Sequence, residues 1–424
     1  MKKTKAVLPL IALSIICFAC NMEVPIASMN LEVVPGLKSI TDVEDYLGKH
    51  YFGGSPDETV KLILDGVGLG DMQSGSGWRD LLDIIEDARK YVSLDLSGCE
   101  IDSPVFDPDY SIPDGKEYIV NLVLPDDAIS IPIGSTISTQ TFRNFTSLRS
   151  VSAANVTDIG DRAFYESCPN LKSASFPKVT DIGYGAFWDC PELVSIYFPK
   201  LVNISDYAFS LCTKLAGVNF PAAITAGQGA FGYCTMLASA HIPKIVIING
   251  GLFEGCENLK SADFPLANII LGNAFKGCKA LASVSIPNAT DIGGNAFSGC
   301  LRLGEVSFAY AEGIGLYAFS GCISLSRVNI PKAEAINTGC FANTGGIALT
   351  ITLGETPPRL LQSIFDGVAS KSVTVRVPQA AVHFYNTEAF NWVSGLRGQG
   401  WEPPNDPGIG TINSKITVNA IQGY

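Results

Sequence analysis

The chain has 424 residues, of which 47% are hydrophobic and only 17% are charged, and its net charge at pH 7 is −12. An acidic chain is repelled by phosphate backbones, so nucleic acids and anionic phosphate surfaces are excluded as its main partners. The composition favours one elongated exported domain with caps at its ends over several domains counted from length alone.

The N-terminus has the layout of a secretory signal peptide. Lys2, Lys3 and Lys5 precede an apolar run over residues 6–19, which is shorter than the roughly 20 residues of a transmembrane helix. The sequence therefore predicts export, with residues 1–20 forming a signal peptide that has a lipobox-like end.

The segment Phe18-Ala19-Cys20 resembles the end of a bacterial lipoprotein signal, in which the cysteine becomes the diacylated N-terminus after cleavage. Cys17 and Phe18 depart from the usual box, which prefers Leu and a small residue, and Asn21 stands where Asp would retain the protein at the inner membrane. The resemblance implies lipidation of Cys20 and anchoring to the outer membrane or cell surface. The alternative is an ordinary cleaved signal in which Cys20 has no role.

Residues 21–90 are interpreted as a linker followed by a helical cap. The segment 78–91 is amphipathic, with an apolar face at helical spacing and acidic residues opposite it. That face consists of Leu81, Leu82, Ile85 and Ala88. We expect this helix to cover the first coil of the domain that follows, and a partner-binding helix is the alternative.

The central region is a tandem repeat marked by eight cysteines at a fixed interval of 22 residues. They are Cys168, Cys190, Cys212, Cys234, Cys256, Cys278, Cys300 and Cys322. A period of this size is typical of a solenoid, in which each repeat is one coil that buries its apolar face against its neighbours.

The repeat 281–300 illustrates the coil. Val284 and Ile286 alternate with serines, which is the pattern of a half-buried strand, and Pro287 ends that strand because it has no N–H to donate. Gly293 permits a sharp corner before the segment that carries Phe297. The sequence therefore predicts one short strand per coil in a parallel sheet, with loops or short helical turns on the other face.

This repeat resembles the BspA-like leucine-rich repeat family, whose typical unit is L-x-x-[VI]-x-[IF]-P-x-x-[VAL]-x-x-I-G-x-x-A-F-x-x-C. The repeat 281–300 matches nearly every position, and regular coils extend over about 142–341. Irregular coils flank them, so the predicted solenoid covers 91–377. The resemblance implies a bacterial surface protein that presents a curved repeat face for binding and not for catalysis.

Residues 378–424 are interpreted as a C-terminal cap and tail. Pro378 is well placed to start a helix over 379–392, which would cover the last coil. Residues 401–424 are rich in Pro, Gly and Asn and are expected to form a loosely attached tail.

The cysteine ladder is the main candidate for chemistry. The sequence has neither a CxxC pair nor histidines beside the ladder, which argues against a metal site. Disulfides need a crossed geometry that parallel side chains do not offer. Core packing is therefore favoured over both. The three histidines, His50, His241 and His383, lie far apart in the sequence. We therefore predict no catalytic residues, no metal site and no cofactor.

The outward column of the strands is where the repeats differ most, which makes it the predicted recognition surface. From it we select five ligand-binding residues, namely Tyr197, Asn219, His241, Asp263 and Asn329. Tyr197 and His241 are favoured among them, because an exposed ring on a rigid sheet loses little entropy on binding. The alternative is that this face is simply exposed to solvent and has no binding role.

The hypothesis for function is a lipid-anchored, non-catalytic surface protein that binds host or neighbouring-cell macromolecules through its strand face, with adhesion as its role. Its partner would be a protein or another extracellular macromolecule, and the N-terminal lipid would hold it to the membrane. The alternative is an envelope scaffold that holds other bacterial proteins.

Overall fold

The computed structural model describes ten stretches of the chain, all of which belong to one unit, Gly36–Tyr424. They are 36–49, 53–72, 77–108, 114–132, 141–344, 349–361, 364–365, 373–381, 411–412 and 416–421. Cys20, His50, His383 and most of the predicted C-terminal helix lie outside these stretches.

Two parallel strand columns form the solenoid. The first column contains fifteen strands among the described residues: Val60–Gly70, Val92–Ile101, Ile119–Val123, Ser150–Ser152, Ser173–Ser175, Ser195–Tyr197, Gly217–Asn219, Ser239–His241, Ser261–Asp263, Ser283–Ser285, Glu305–Ser307, Arg327–Asn329, Leu349–Thr352, Val373–Pro378 and Ile416–Ile421. The regular strands pair in register one repeat apart, as Ser173 does with Ser195. The 22-residue period is therefore the advance of one coil, and the predicted fold class is confirmed.

The second column adds another strand to each coil, beyond the single strand that the repeat predicts. Its eleven described strands are Ser130–Ile131, Asp158–Ile159, Asp181–Ile182, Asn203–Ile204, Thr225–Ala226, Ile247–Ile248, Ile269–Ile270, Asp291–Ile292, Gly313–Ile314, Ala335–Ile336 and Arg359–Leu360. Each has two residues, and the second residue points into the core in nearly all of them. Such strands are too short to show a period of two in the sequence, which explains why the repeat indicates only a turn there.

Pairing in the first column is interrupted before Gly217, before Ser261 and before Glu305. The central residue of the strand that precedes each interruption is only partly buried, whereas the central residues of the other regular strands are buried. These partly buried residues are Ile196, Ala240 and Val284. The first column thus keeps its 22-residue spacing across these interruptions, but its hydrogen-bonded strand pairing is divided into segments.

A stack of phenylalanine rings runs through the core, one ring per coil. The members are Phe142, Phe164, Phe187, Phe209, Phe231, Phe253, Phe275, Phe297, Phe319, Phe341 and Phe365. Consecutive ring centroids lie 4.1–5.9 Å apart. Offset stacking of this kind contributes beyond the burial of apolar area, so the stack holds each coil to the next.

Helix occurs near the N-terminal end, as Ile40–Lys49 and Gly77–Ala88, with 3₁₀ turns at Lys116–Tyr118 and Gln379–Ala381. The helix Gly77–Ala88 connects the first two parallel strands. It buries Trp78, Leu81, Leu82 and Ile85, which include three of the four predicted apolar positions. The sheet begins at Val60, inside the segment 21–90 that the sequence assigns to linker and cap.

The C-terminal end differs from the prediction. Pro378 is the last residue of a strand, and a 3₁₀ turn follows it. The tail, predicted to be loosely attached, contributes the strand Ile416–Ile421, which pairs in parallel with Val373–Pro378 and carries the short antiparallel strand Thr411–Ile412 on its other edge. Backbone pairing with the tail therefore covers the edge of the last coil.

Candidate binding surface

The outward side of the first strand column, here called the strand face, carries two columns of side chains, because residues on either side of each buried central position point away from the core. One column contains Ser150, Ser173, Ser195, Gly217, Ser239, Ser261, Ser283, Glu305, Arg327 and Thr350. The other contains Ser152, Ser175, Tyr197, Asn219, His241, Asp263, Ser285, Ser307, Asn329 and Thr352. Ser and Thr make up seven of the ten residues in the first column and five of the ten in the second, so the larger and charged side chains stand above shorter neighbours.

Four of the five predicted binding residues lie on consecutive strands. Tyr197, Asn219, His241 and Asp263 are all exposed, and Tyr197 retains 41% of its accessible surface. Asn329 lies three coils further along, is half-buried and donates a hydrogen bond from Nδ2 to Ser307 Oγ at 2.9 Å. The structure thus brings four predicted residues together and separates the fifth from them.

A depression of about 320 Å³ lies on the strand face around Asn329. It is lined by Val284, Glu305, Val306, Ser307, Arg327, Val328, Asn329, Thr350, Thr352 and Arg376. Val284 belongs to the strand before the third interruption in pairing, so the depression begins where the ladder is broken.

Charged groups in this depression were missed by the sequence analysis. Arg327 Nη2 lies 2.9 Å from Glu305 Oε1, and both side chains are more than half exposed. Such a surface pair contributes little stability and is readily exchanged for another partner. Arg376 adds a second guanidinium to the same depression, which suits it to a ligand that carries carboxylates. The sequence does carry a signal for this depression, because the first outward column changes from Ser283 to Glu305 and then to Arg327. None of the five predicted binding residues comes from that column.

The ladder cysteines are buried in the core as free thiols. From Cys212 to Cys322, each Sγ donates to the carbonyl oxygen of the stacked phenylalanine in the preceding coil, at 3.1–3.2 Å. Thr344 takes the ninth position of the ladder, and its buried hydroxyl donates to Phe341 O at 2.7 Å. From Cys212 to Thr344 the position is therefore occupied by a small side chain that donates one hydrogen bond within the core, whereas the first regular coil has the buried Phe145 there. Among the described residues, no group of three His, Cys, Asp or Glu side chains could hold a metal ion.

Burial makes these thiols chemically inert. It raises the pKa of Cys234 and Cys322 to about 12 and raises the pKa of Cys256 well above its ordinary value. The thiolate is the nucleophilic form and the metal-binding form, so at neutral pH these positions serve packing.

Within the part of the chain that the structure describes, no helix has the length and apolar character needed to cross a bilayer.

Comparisons with solved structures give leucine-rich repeat proteins of bacteria. A leucine-rich repeat protein of T. pallidum is 30% identical, with 38% of this chain and 80% of that chain covered and a TM-score of 0.35. A leucine-rich cell surface protein of Faecalibacterium prausnitzii A2-165 is 24% identical, with 60% and 78% covered and a TM-score of 0.39. A leucine-rich repeat protein from Bacteroides ovatus is 19% identical, with 63% of this chain and 89% of that chain covered and a TM-score of 0.43.

A search of curated proteins returned no match. The family model described as BspA type leucine rich repeat region matches six copies, over residues 127–238 and 246–372. These ranges are more than half of the chain, and they coincide with the coils that carry the cysteine ladder and the phenylalanine stack. The chain belongs to the BspA-type leucine-rich repeat family.

Proposed function

We propose that this chain is a non-catalytic binding protein displayed at the bacterial surface, anchored by a lipid on Cys20. It binds a protein or another macromolecule of a host or neighbouring cell through the strand face. The observation that carries this proposal is the contrast between the two sides of each strand. Inward positions repeat from coil to coil, whereas outward positions change to Tyr197, His241, Asp263 and Arg327.

The rigidity of the sheet supports binding on this face. Each outward side chain stands on a strand that is packed on the core, so little backbone freedom is lost when a partner binds. Tyr197 provides an exposed ring with a polar end, a combination common in binding hot spots. The depression around Arg327 and Arg376 provides a second contact point, which suits an acidic segment of the partner.

The first prediction tests the strand face directly. A pull-down with the chain against extracellular matrix, serum and envelope fractions supplies the partner. Replacing Tyr197, His241 and Asp263 together by alanine should weaken binding at least tenfold, because it removes three large exposed side chains from one segment of this face. Titration calorimetry measures the dissociation constant.

A matched control uses exposed residues away from the strand face. The Lys200→Ala, Tyr310→Ala double variant removes a cation and a ring that lie just after the strand-ending prolines or their equivalent. It should bind as the unmodified chain does. Unchanged affinity of the triple variant would exclude the Tyr197–Asp263 segment as the site.

The second prediction concerns anchoring. Cys20→Ala should abolish incorporation of an alkyne-labelled fatty acid and release the protein from the membrane fraction, because no thiol remains for acylation at this position. In intact cells, external protease and antibodies should reach the unmodified protein. Unaltered fatty-acid labelling of Cys20→Ala would contradict lipidation at this residue. A labelled protein that is inaccessible from outside would favour an envelope scaffold over an adhesin.

A further inference from the structure

An exposed apolar surface lies on the outward side of the second strand column, away from the strand face. It is here called the apolar patch and consists of Ile224, Val246, Ile247, Leu266 and Leu271, each of which retains 41–53% of its accessible surface. The five side chains come from three consecutive coils and lie within or beside the short strands of the column. A contiguous exposed surface of this kind marks an interaction site, whereas single exposed apolar residues do not.

The fold does not require apolar residues at these positions. Where this coil has Ile247, other coils have Asp181 and Asp291 in strands of the same length. The position of Leu266 is held by Lys244 in the preceding coil. The same backbone is therefore built with charged side chains elsewhere in the column, so the apolar patch is not a consequence of packing within the chain.

The apolar patch is complementary to itself about a two-fold axis that runs parallel to the direction in which the coils advance. Such an axis sets each coil against the same coil of a second copy, with the strand direction reversed. With the axis midway between Val246 and Ile247, Val246 lies opposite Ile247 of the second copy, and Leu266 lies opposite Leu271. Apolar side chains thus meet apolar side chains across the centre of the contact.

The charges around the apolar patch also fit this arrangement. The same axis sets Asp181 opposite Thr180 and Asp291 opposite Thr290, so no carboxylate of this column faces another. The lysines that follow the strand-ending prolines, of which Lys244 is one, face a column of uncharged Gly, Ser, Asn and Leu side chains. Like charges directly opposite each other would oppose association, and this axis avoids them.

We propose that the apolar patch is the interface of a symmetric dimer of this chain. Five aliphatic side chains at about half exposure present on the order of 400–500 Å², whereas a stable interface buries about 800 Å² per partner. The threonine and asparagine side chains around the apolar patch supply the remaining contact. The dimer is therefore reversible, with a dissociation constant of about 1–100 μM.

A second copy is favoured over a lipid surface as the occupant. Surfaces that enter a membrane interface combine Trp or Phe with a basic rim, whereas the apolar patch is aliphatic and has Asp181 and Asp291 at its two ends. The axis also keeps the N-terminal ends of both copies on one side, which is compatible with attachment of both to one membrane. The dimer does not depend on that attachment, and it goes beyond the strand-face function because it uses another side of the coils.

The test is sedimentation velocity of the full chain under reducing conditions, from about 1 to 200 μM, a range that spans the expected dissociation constant. We expect a concentration-dependent equilibrium of monomer and dimer. Ile247→Asp and Leu266→Lys should each raise the dissociation constant at least tenfold, because each places a charge in an apolar contact. Both variants should fold, since they introduce the residues that other coils have at these positions, as in Asp181 and Lys244.

Met236→Lys is the matched control for Leu266→Lys. Met236 is also 53% exposed, and the preceding coil has Lys214 at its position, but it lies in the turn between Cys234 and Leu237, outside the second column. It should leave the dissociation constant unchanged.

Mixing two variants tests the axis itself. Val246→Lys and Ile247→Asp should each dimerise poorly alone, because the new charge faces an aliphatic side chain of the second copy. In the mixture, the lysine at 246 of one copy lies opposite the aspartate at 247 of the other. The mixed dimer should therefore form with a dissociation constant at least threefold lower than that of either variant alone, measured with one variant fluorescently labelled.

Three results would overturn the proposal. The first is a chain that stays monomeric up to the highest concentration, whether or not it floats with phosphatidylcholine vesicles. The second is that Met236→Lys weakens association as much as Leu266→Lys does. The third is that the mixture of Val246→Lys and Ile247→Asp associates no more tightly than either variant alone.

Discussion

The free energy of unfolding should fall steeply as the pH rises from 9 to 11. Ten buried cysteines are free thiols in the described residues, namely Cys99, the eight ladder cysteines and Cys340. Their ordinary pKa is 9.0, and burial raises it in the folded chain, to about 12 for Cys99, Cys234 and Cys322. The folded chain therefore keeps protons that the unfolded chain loses above pH 9.

The sign of the effect follows from proton binding. Above pH 9 the unfolded state binds fewer protons than the folded state, so the free energy of unfolding decreases with pH, and the stability present below pH 9 is lost as the pH approaches the raised pKa values. Each thiol contributes about 1.4 kcal/mol per pH unit. The ten together contribute on the order of 10 kcal/mol per pH unit, which is comparable with the whole stability of an ordinary domain.

Urea titrations under reducing conditions at pH 8, 9, 10 and 10.5 measure this slope. Replacing Cys212, Cys234 and Cys256 by alanine should reduce the slope by about 4 kcal/mol per pH unit, whatever the variant does to stability at pH 8. A free energy of unfolding that stays constant up to pH 10.5 would contradict thiol burial as described.

Phe231→Ala should lower the free energy of unfolding by about 3–5 kcal/mol. Phe231 is fully buried in the middle of the stack, 5.6 Å from Phe209 and 5.7 Å from Phe253 between ring centroids. Its removal leaves a cavity between two coils. In a solenoid each coil contacts only its neighbours, so the loss weakens both interfaces of this coil. Urea unfolding followed by circular dichroism measures the change.

Two controls accompany this variant. Phe231→Leu keeps an apolar side chain in the stack and should cost less than the alanine change. Tyr310→Ala removes a ring that is 57% exposed and should change stability by no more than about 0.5 kcal/mol. A loss below about 1 kcal/mol for Phe231→Ala would show that the stack is not what joins the coils.

The outward positions illustrate how far the sequence could predict the candidate site. Alternation within a strand identifies Tyr197 and His241 as outward residues, because side chains on a strand point to opposite faces in turn. It does not identify the depression around Arg327, which begins where strand pairing is interrupted before Glu305. Arg376 joins this depression from the irregular coils, where the 22-residue count no longer applies.

The strands at the irregular ends of the domain could not be predicted from the sequence for a similar reason. The strand Val60–Gly70 contains Gly66, Gly68 and Gly70, which weaken the strand signal. The strand Ile416–Ile421 pairs with Val373–Pro378 across more than thirty residues of intervening chain. Local propensity carries no information about such a partner.

The sequence by itself determined the repeat, its family and the inward positions of each coil, because a 22-residue period forces equivalent residues into one column and the apolar ones must be buried. It also predicted packing as the role of the ladder cysteines. Only the tertiary structure decided which outward residues become neighbours. Trp188 and Tyr207 are 19 residues apart in the sequence, and their rings stack with centroids 5.4 Å apart because consecutive coils lie against each other.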